Sequence, residues 1–215
     1  MGLIKGLKKS GITSATPKNL LLGAGTIYKN LTWDTSNSTW KGTVLGATSG
    51  GNKFSLKPNI VVIDVDGAVV DTKGMTQKQG ETASLEINLV EMSVGALKMA
   101  MIGEEASSEA TGFTKLATKA VIEDSDYLDN IAFVGFLADD TPIVIIMENS
   151  LCTSGLELSG KNKEATVIPV TFQPYADNSD DTSQDTLPVF IYYPTKANAE
   201  ASTGQSTQDQ VNAKE

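Results

Sequence analysis

In the segment TASLEINLVE, residues 82–91, polar and apolar residues alternate: Ala83, Leu85, Ile87 and Leu89 fall on one side, Thr82, Ser84, Glu86 and Asn88 on the other. Only an extended strand places every second side chain on one face, so the stretch predicts a half-exposed strand with a core beneath it. Its neighbours fit the same picture. LLLGAGTIYKNL, 20–31, has glycines at 23 and 25 among β-prone residues and predicts a bent or bulged strand. IAFVGFLADDTPIVIIMENSL predicts two antiparallel strands joined at Asp139, Asp140, Thr141 and Pro142. LELSGKNKEATVIPVTFQP predicts another hairpin, turning at Ser159–Lys163 with a long strand over Glu164–Phe172, and LPVFIYYP, 187–194, a closing strand.

Helical spacing appears once with clear ends. Ser93 is placed to cap a helix carrying Val94, Leu97, Lys98 and Met101, and Gly103 to close it, with Glu104–Gly112 as a small acidic connector. Many strands and one short helix predict a mainly β fold: an antiparallel β-sandwich or curled sheet with the helix at its side. Residues 1–194 are expected to form one domain, with a long inserted loop at about 32–57 that is rich in Gly, Ser, Thr and Asn yet holds Trp33, Trp40 and Phe54. Pro174–Thr186 reads as an acidic loop. Residues 195–215 read as a polar tail whose only large apolar residue is Val211.

Composition narrows the chemistry. The chain has no histidine, which removes the usual general base, the Ser-His and Cys-His pairs and nearly all zinc sites. One cysteine, Cys152, excludes an intramolecular disulfide and is expected to be a buried structural thiol. A net charge of −9 repels nucleic-acid phosphates on average. No apolar run approaches the roughly 20 residues of a membrane-spanning helix, and MGLIKGLKKSGITS is a poor secretory signal, so cytoplasmic synthesis without membrane insertion is expected. Lys5, Lys8 and Lys9 read as a solvated basic N-terminus.

VVIDVDGAVVDT, 60–71, spells the opening of a haloacid-dehalogenase-type phosphatase, with Asp64 as nucleophile, Asp66 as general acid and Mg²⁺ between them. That chemistry requires parallel strands separated by helices, and the order of segments here is an alternating strand and one helix. The alternative is a strand burying Val61, Ile63 and Val65, then turning at Asp66-Gly67 with positive φ angles. The strand-and-turn reading is preferred, because a short motif without its context is weak. GATSGGNK, 46–53, approaches a phosphate loop but has Asn52 where the lysine belongs. DNSDDTSQD, 177–185, lacks the glycine turn and closing glutamate of a calcium loop. No catalytic, metal or cofactor residue is assigned.

The ordered set NLLLGAGTIYKNL, GATSGGNKFSLKPNIVVIDVDGA, KGMTQKQGETASLEINLVEMS, the helix, the strands around DDTPIVIIMENS and the closing LPVFIYYP resembles the major tail proteins, the tail tube subunits of long-tailed bacteriophages. The resemblance implies a virion protein that assembles with itself into stacked six-fold rings, a tube through which DNA is ejected without specific binding. Its implied partners are tail tip, tape measure and tail terminator proteins, and its implied location the virion tail. On that footing Trp33, Trp40 and Phe54 are expected to dock on a neighbouring ring, the alternative being that they fold back on their own domain, and Ser84, Glu86 and Asn88 to face the lumen, where Glu86 and similar carboxylates would repel phosphates. A sandwich module binding carbohydrate or protein, as in another tail component, is the competing non-enzymatic reading.

Overall fold

A computed structural model of the chain describes residues 10–160, 162–178 and 183–194. The strands are β1 (Leu21–Asp34), β2 (Thr39–Val44), β3 (Lys53–Val62), β4 (Thr76–Leu89), β5 (Gly103–Ala106), β6 (Lys115–Thr118), β7 (Leu128–Leu137), β8 (Pro142–Cys152), β9 (Ile168–Pro174) and β10 (Val189–Tyr192), with one α-helix, α1 (Val94–Met101). The fold is mainly β, a curled antiparallel sheet with one helix. Strand order along the main sheet is β2-β1-β7-β8-β9-β4-β3, with β10 added to β8, and β5-β6 form a separate small sheet.

The curl originates at β8. One of its edges pairs with β7 from Pro142 to Ser150; the other pairs with β10 over Val144–Met147 and then with β9 over Ser150–Cys152. The sheet therefore forks. One leaf is β2-β1-β7-β8-β10, the other β9-β4-β3, and the end of β8 joins them. Between the leaves lies the principal core: Ile27, Ile131, Phe133 and Met147 from the first, Leu85, Ile87, Leu89, Ile168, Val170 and Phe172 from the second. The alternation of residues 82–91 thus reads as expected, with Ala83, Leu85, Ile87 and Leu89 all buried. Cys152 is free and buried in the same core, as a structural thiol.

Strand β1 is bulged where its glycines predict. Its register against β7 shifts between Leu22 and Thr26, and Gly25 sits at φ 72°. A Cβ at Gly25 would meet the Phe133 ring at 2.3 Å, so the bare backbone lets that ring close over β1. The helix begins as expected, with Ser93 Oγ accepting from Ala96 N at 3.1 Å. Its end differs: Ile102, not Gly103, takes the left-handed cap at φ 48°, and Gly103 opens β5. Of the expected helix face, Leu97 packs against the core, and the fully buried positions are others. Ala96 and Ala100 pack on the sheet, since small side chains allow closer approach than Val94 or Met101.

Several expected loops and strands are corrected. Residues 32–57 are not a long loop: β1 runs to Asp34, β2 returns beside it, and β3 starts at Lys53, leaving 45–52 as the connector. Glu104–Ala106 belongs to β5. The hairpin expected from LELS is absent; residues 153–160 and 162–167 are irregular, β9 begins at Ile168, and Lys161 lies outside the described residues. Val61, Ile63 and Val65 do not form a buried strand face, because β3 ends at Val62 and Ile63 and Val65 are exposed. The acidic loop's residues 179–182, the tail 195–215 and the lysines at 5, 8 and 9 lie outside the described residues.

Candidate functional site: an apolar outer face and a projecting arm

The first leaf is apolar on both sides. Facing away from the principal core, Leu31, Ala132, Val144 and Ile146 form a second buried cluster, with Tyr28, Trp40 and Val134 packed against it. Burying Leu31, Val144 and Ile146 contributes about 1.5–3 kcal/mol each. The covering side chains are themselves half-exposed. Trp33 stands opposite Trp40 across the β1–β2 hairpin, ring centroids 5.2 Å apart and edge-on, and Trp40 meets Tyr192 of β10 at 5.1 Å in the same manner. This contact brings β2 and β10, the two lateral edges of the leaf, together through its curl. Around the trio the face continues through Leu22 opposite Phe136, Val44 opposite Tyr28, and Phe190 opposite Ile146.

A bulge in β1 makes this face. Ile27 and Leu31 share parity and in a regular strand would share a side, yet Ile27 lies in the principal core and Leu31 in the outer cluster. The register against β2 shifts between Lys29 and Thr32, and Asn30 sits at φ 54°. The ladder bonds lost there are replaced from β7: Asn130 Oδ1 accepts from Leu31 N at 2.8 Å and Asn130 Nδ2 donates to Leu31 O at 3.2 Å. Asn130 is one of two buried polar residues among those described.

The hairpin tip that presents the tryptophans is held by Asp34. Its carboxylate accepts from Ser36 N at 2.9 Å and from Asn37 Nδ2 at 2.6 Å, and pairs with Lys41. The Lys41 ammonium, then Asn37, push the Asp34 pKa from 3.8 down to about 2. Because the folded-state value is depressed, the stabilisation is present above the ordinary value and is lost as pH falls from about 4 through about 2. Asp34→Asn should remove that share of acid sensitivity, so the unfolding temperature of wild type should drop relative to the variant's over this window. Parallel curves down to pH 2 would contradict the role.

The second leaf turns a polar face outward. Ser84 lies opposite Ser55, Glu86 between Lys53 and Thr171, and Asn88 opposite Pro169, its Nδ2 donating to Gly51 O at 3.1 Å. Glu86 is not a bare carboxylate. It pairs with Lys53 Nζ at 2.6 Å, and Lys57 adds a further cation in the next strand. The acidic or polar face expected of Ser84, Glu86 and Asn88 is polar with its one carboxylate paired, and the pairing lysine comes from β3, invisible in β4 alone.

Beyond β9 this leaf continues as an arm. β9 pairs with β4 only over Leu85–Leu89, whereas β3 and β4 stay paired out to Val62 and Thr76. The six residues Thr76–Glu81 carry the arm about 20 Å past the body at strand rise. At its base Glu81 accepts from Leu187 N at 3.2 Å and pairs with Lys78, whose ammonium is the main cause of its lowered pKa. At its end, residues 63–75 form an irregular loop around an open concavity of about 470 Å³. Asp66-Gly67 does turn there, Ala68 N donating to Val65 O at 3.1 Å, but only Gly67 has positive φ, so the turn sits inside a longer loop and is not a tight hairpin. Val69 and Val70 at the tip are 96% and 77% exposed.

Of the residues singled out from sequence, Trp33 and Trp40 come together and Phe54 does not: it lies on the inner side of β3 against the principal core. Asp64 and Asp66 stand on the exposed loop, and every strand pairing among the described residues is antiparallel, so the parallel framework of the phosphatase motif is not built. Among the described residues no three acidic, histidine or cysteine side chains group closely enough to hold a metal ion. Tyr192, Phe190, Phe136 and Leu22 were missed by sequence reasoning. Their signal was the near-continuous apolar runs of β7 and β8, which in antiparallel strands announce two apolar faces. No family model matches the chain, and no curated protein matches it in sequence.

Proposed function

We propose that this chain is a structural subunit that polymerises with itself into a tube, the tail tube of a long-tailed bacteriophage. The observation that carries the reading is the first leaf with apolar surface on both sides: one side is filled by the second leaf, and the other holds a buried cluster under half-exposed aromatics that, among the described residues, is built from the leaf's own strands alone. A contiguous apolar face of that kind marks an interaction surface. The projecting arm adds a second one on the opposite leaf. The polar face of Ser84, Glu86 and Asn88 then lines the channel, its Lys53–Glu86 pair offering passing phosphates no net attraction.

Negative-stain electron microscopy of the purified protein, concentrated at neutral pH, tests this. Hollow tubes of uniform diameter are expected. Monomers persisting at every concentration would refute the reading and favour a binding module that uses the same aromatic face.

A further inference from the structure

We infer that the arm of one subunit seats on the apolar outer face of the next: residues 63–75 of one copy cover Trp33, Phe136, Phe190 and Tyr192 of its neighbour. The inference rests on the self-assembly reading and specifies its contact. Both surfaces belong to every copy, and each exposes large apolar side chains, at the tip beside Asp64, Asp66 and Asp71. The tip exposes Ile63, Val65, Val69, Val70 and Met75; the face exposes Leu22, Trp33, Val44, Phe136, Phe190 and Tyr192. Half-exposed aromatics of about 150–250 Å² each on the face, and the nearly bare Val69 and Val70 with Ile63, Val65 and Met75 at the tip, give each side roughly 500 Å², so together they reach the ~1,000 Å² that a specific interface needs.

Within one chain the two are kept apart. The tip sits at the far end of the second leaf's arm, while the patch lies on the side of the first leaf turned away from that leaf. An arm held out by paired strands is prepared for another molecule, and its occupant is another copy. Because the two surfaces differ, the contact is heterologous. A subunit that donates an arm to one copy can receive the arm of another on its own face, so the contact can propagate into rings or filaments.

That asymmetry supplies the test. Val69→Asp with Val70→Asp disables the arm and leaves the face; Phe190→Asp disables the face and leaves the arm, with Val44→Asp on the same face as its substitute should β10 fail to fold by circular dichroism. Each variant alone should sediment as a monomer. An equimolar mixture should form a complex of twice the subunit mass and grow no further, since one partner contributes the only working face and the other the only working arm. A mixture that stays monomeric at concentrations where wild type assembles overturns the inference. So does dimerisation of the face-disabled variant alone, which would mean arm on arm. Tubes from wild type with a monomeric mixture would sink the arm-to-face contact and leave the tube reading standing; a heterodimer from a wild type that makes chains but never tubes would do the reverse.

Discussion

Phe172→Ala should lower the folding free energy by roughly 3–5 kcal/mol, a large share of the ~5–15 kcal/mol that holds a typical domain. Phe172 is 1% exposed and stands in β9 between Leu85 of β4 and Cys152 of β8. β9 is the strand of the second leaf that pairs with the end of β8, where the two leaves join. Truncation leaves a void between two sheets that are each tied to a fixed neighbour, so neither collapses freely into it. Urea unfolding followed by far-ultraviolet circular dichroism gives the number. A loss below about 1 kcal/mol would mean that the leaves relax together and that the fork is not a rigid junction.

Asn130→Ala should cost about 2–6 kcal/mol, because it strands two buried backbone groups, Leu31 N–H and Leu31 C=O, each worth about 1–3 kcal/mol when left unpaired. The effect is local in origin and wide in reach. The amide supplies the pairing that the β1 bulge gives up, and the bulge sets Leu31 and Trp33 on the outer face. Loss of Asn130 should therefore loosen the aromatic trio before it loosens the principal core. Hydrogen exchange discriminates the two: the Leu31 amide should exchange faster by orders of magnitude while Ile87 and Val170 shift only with global stability. Unchanged protection at Leu31 would show that the side chain is dispensable there.

Those two residues also mark what sequence carries and what it hides. The strand around Leu85 was legible because one side packs and the other meets water, so polarity records the pleat. The β7–β8 hairpin and the closing strand were legible for their apolar runs and the turn residues between them. Residues 32–57 misled because β2 is an edge strand with Lys41 and Gly42 in it and its turns are built from Ser, Thr, Asn and Gly, which makes short polar strands look like loop. Asp66-Gly67 misled in the opposite sense: a two-residue turn signal was embedded in a longer loop, whose length depends on where β3 stops. The outer face escaped altogether. Counting by twos puts Tyr28 and Trp33 on opposite sides, and only the bulge at Asn30, fixed by a residue about a hundred positions away, reunites them.

The placement of the aromatics has an optical consequence. Both tryptophans of the chain belong to the outer face and neither to the principal core. The intrinsic fluorescence of this protein is thus a reporter confined to one surface. It registers whether water or another molecule lies over Trp33, and the interior can rearrange around Phe172 and Leu85 with little change in colour.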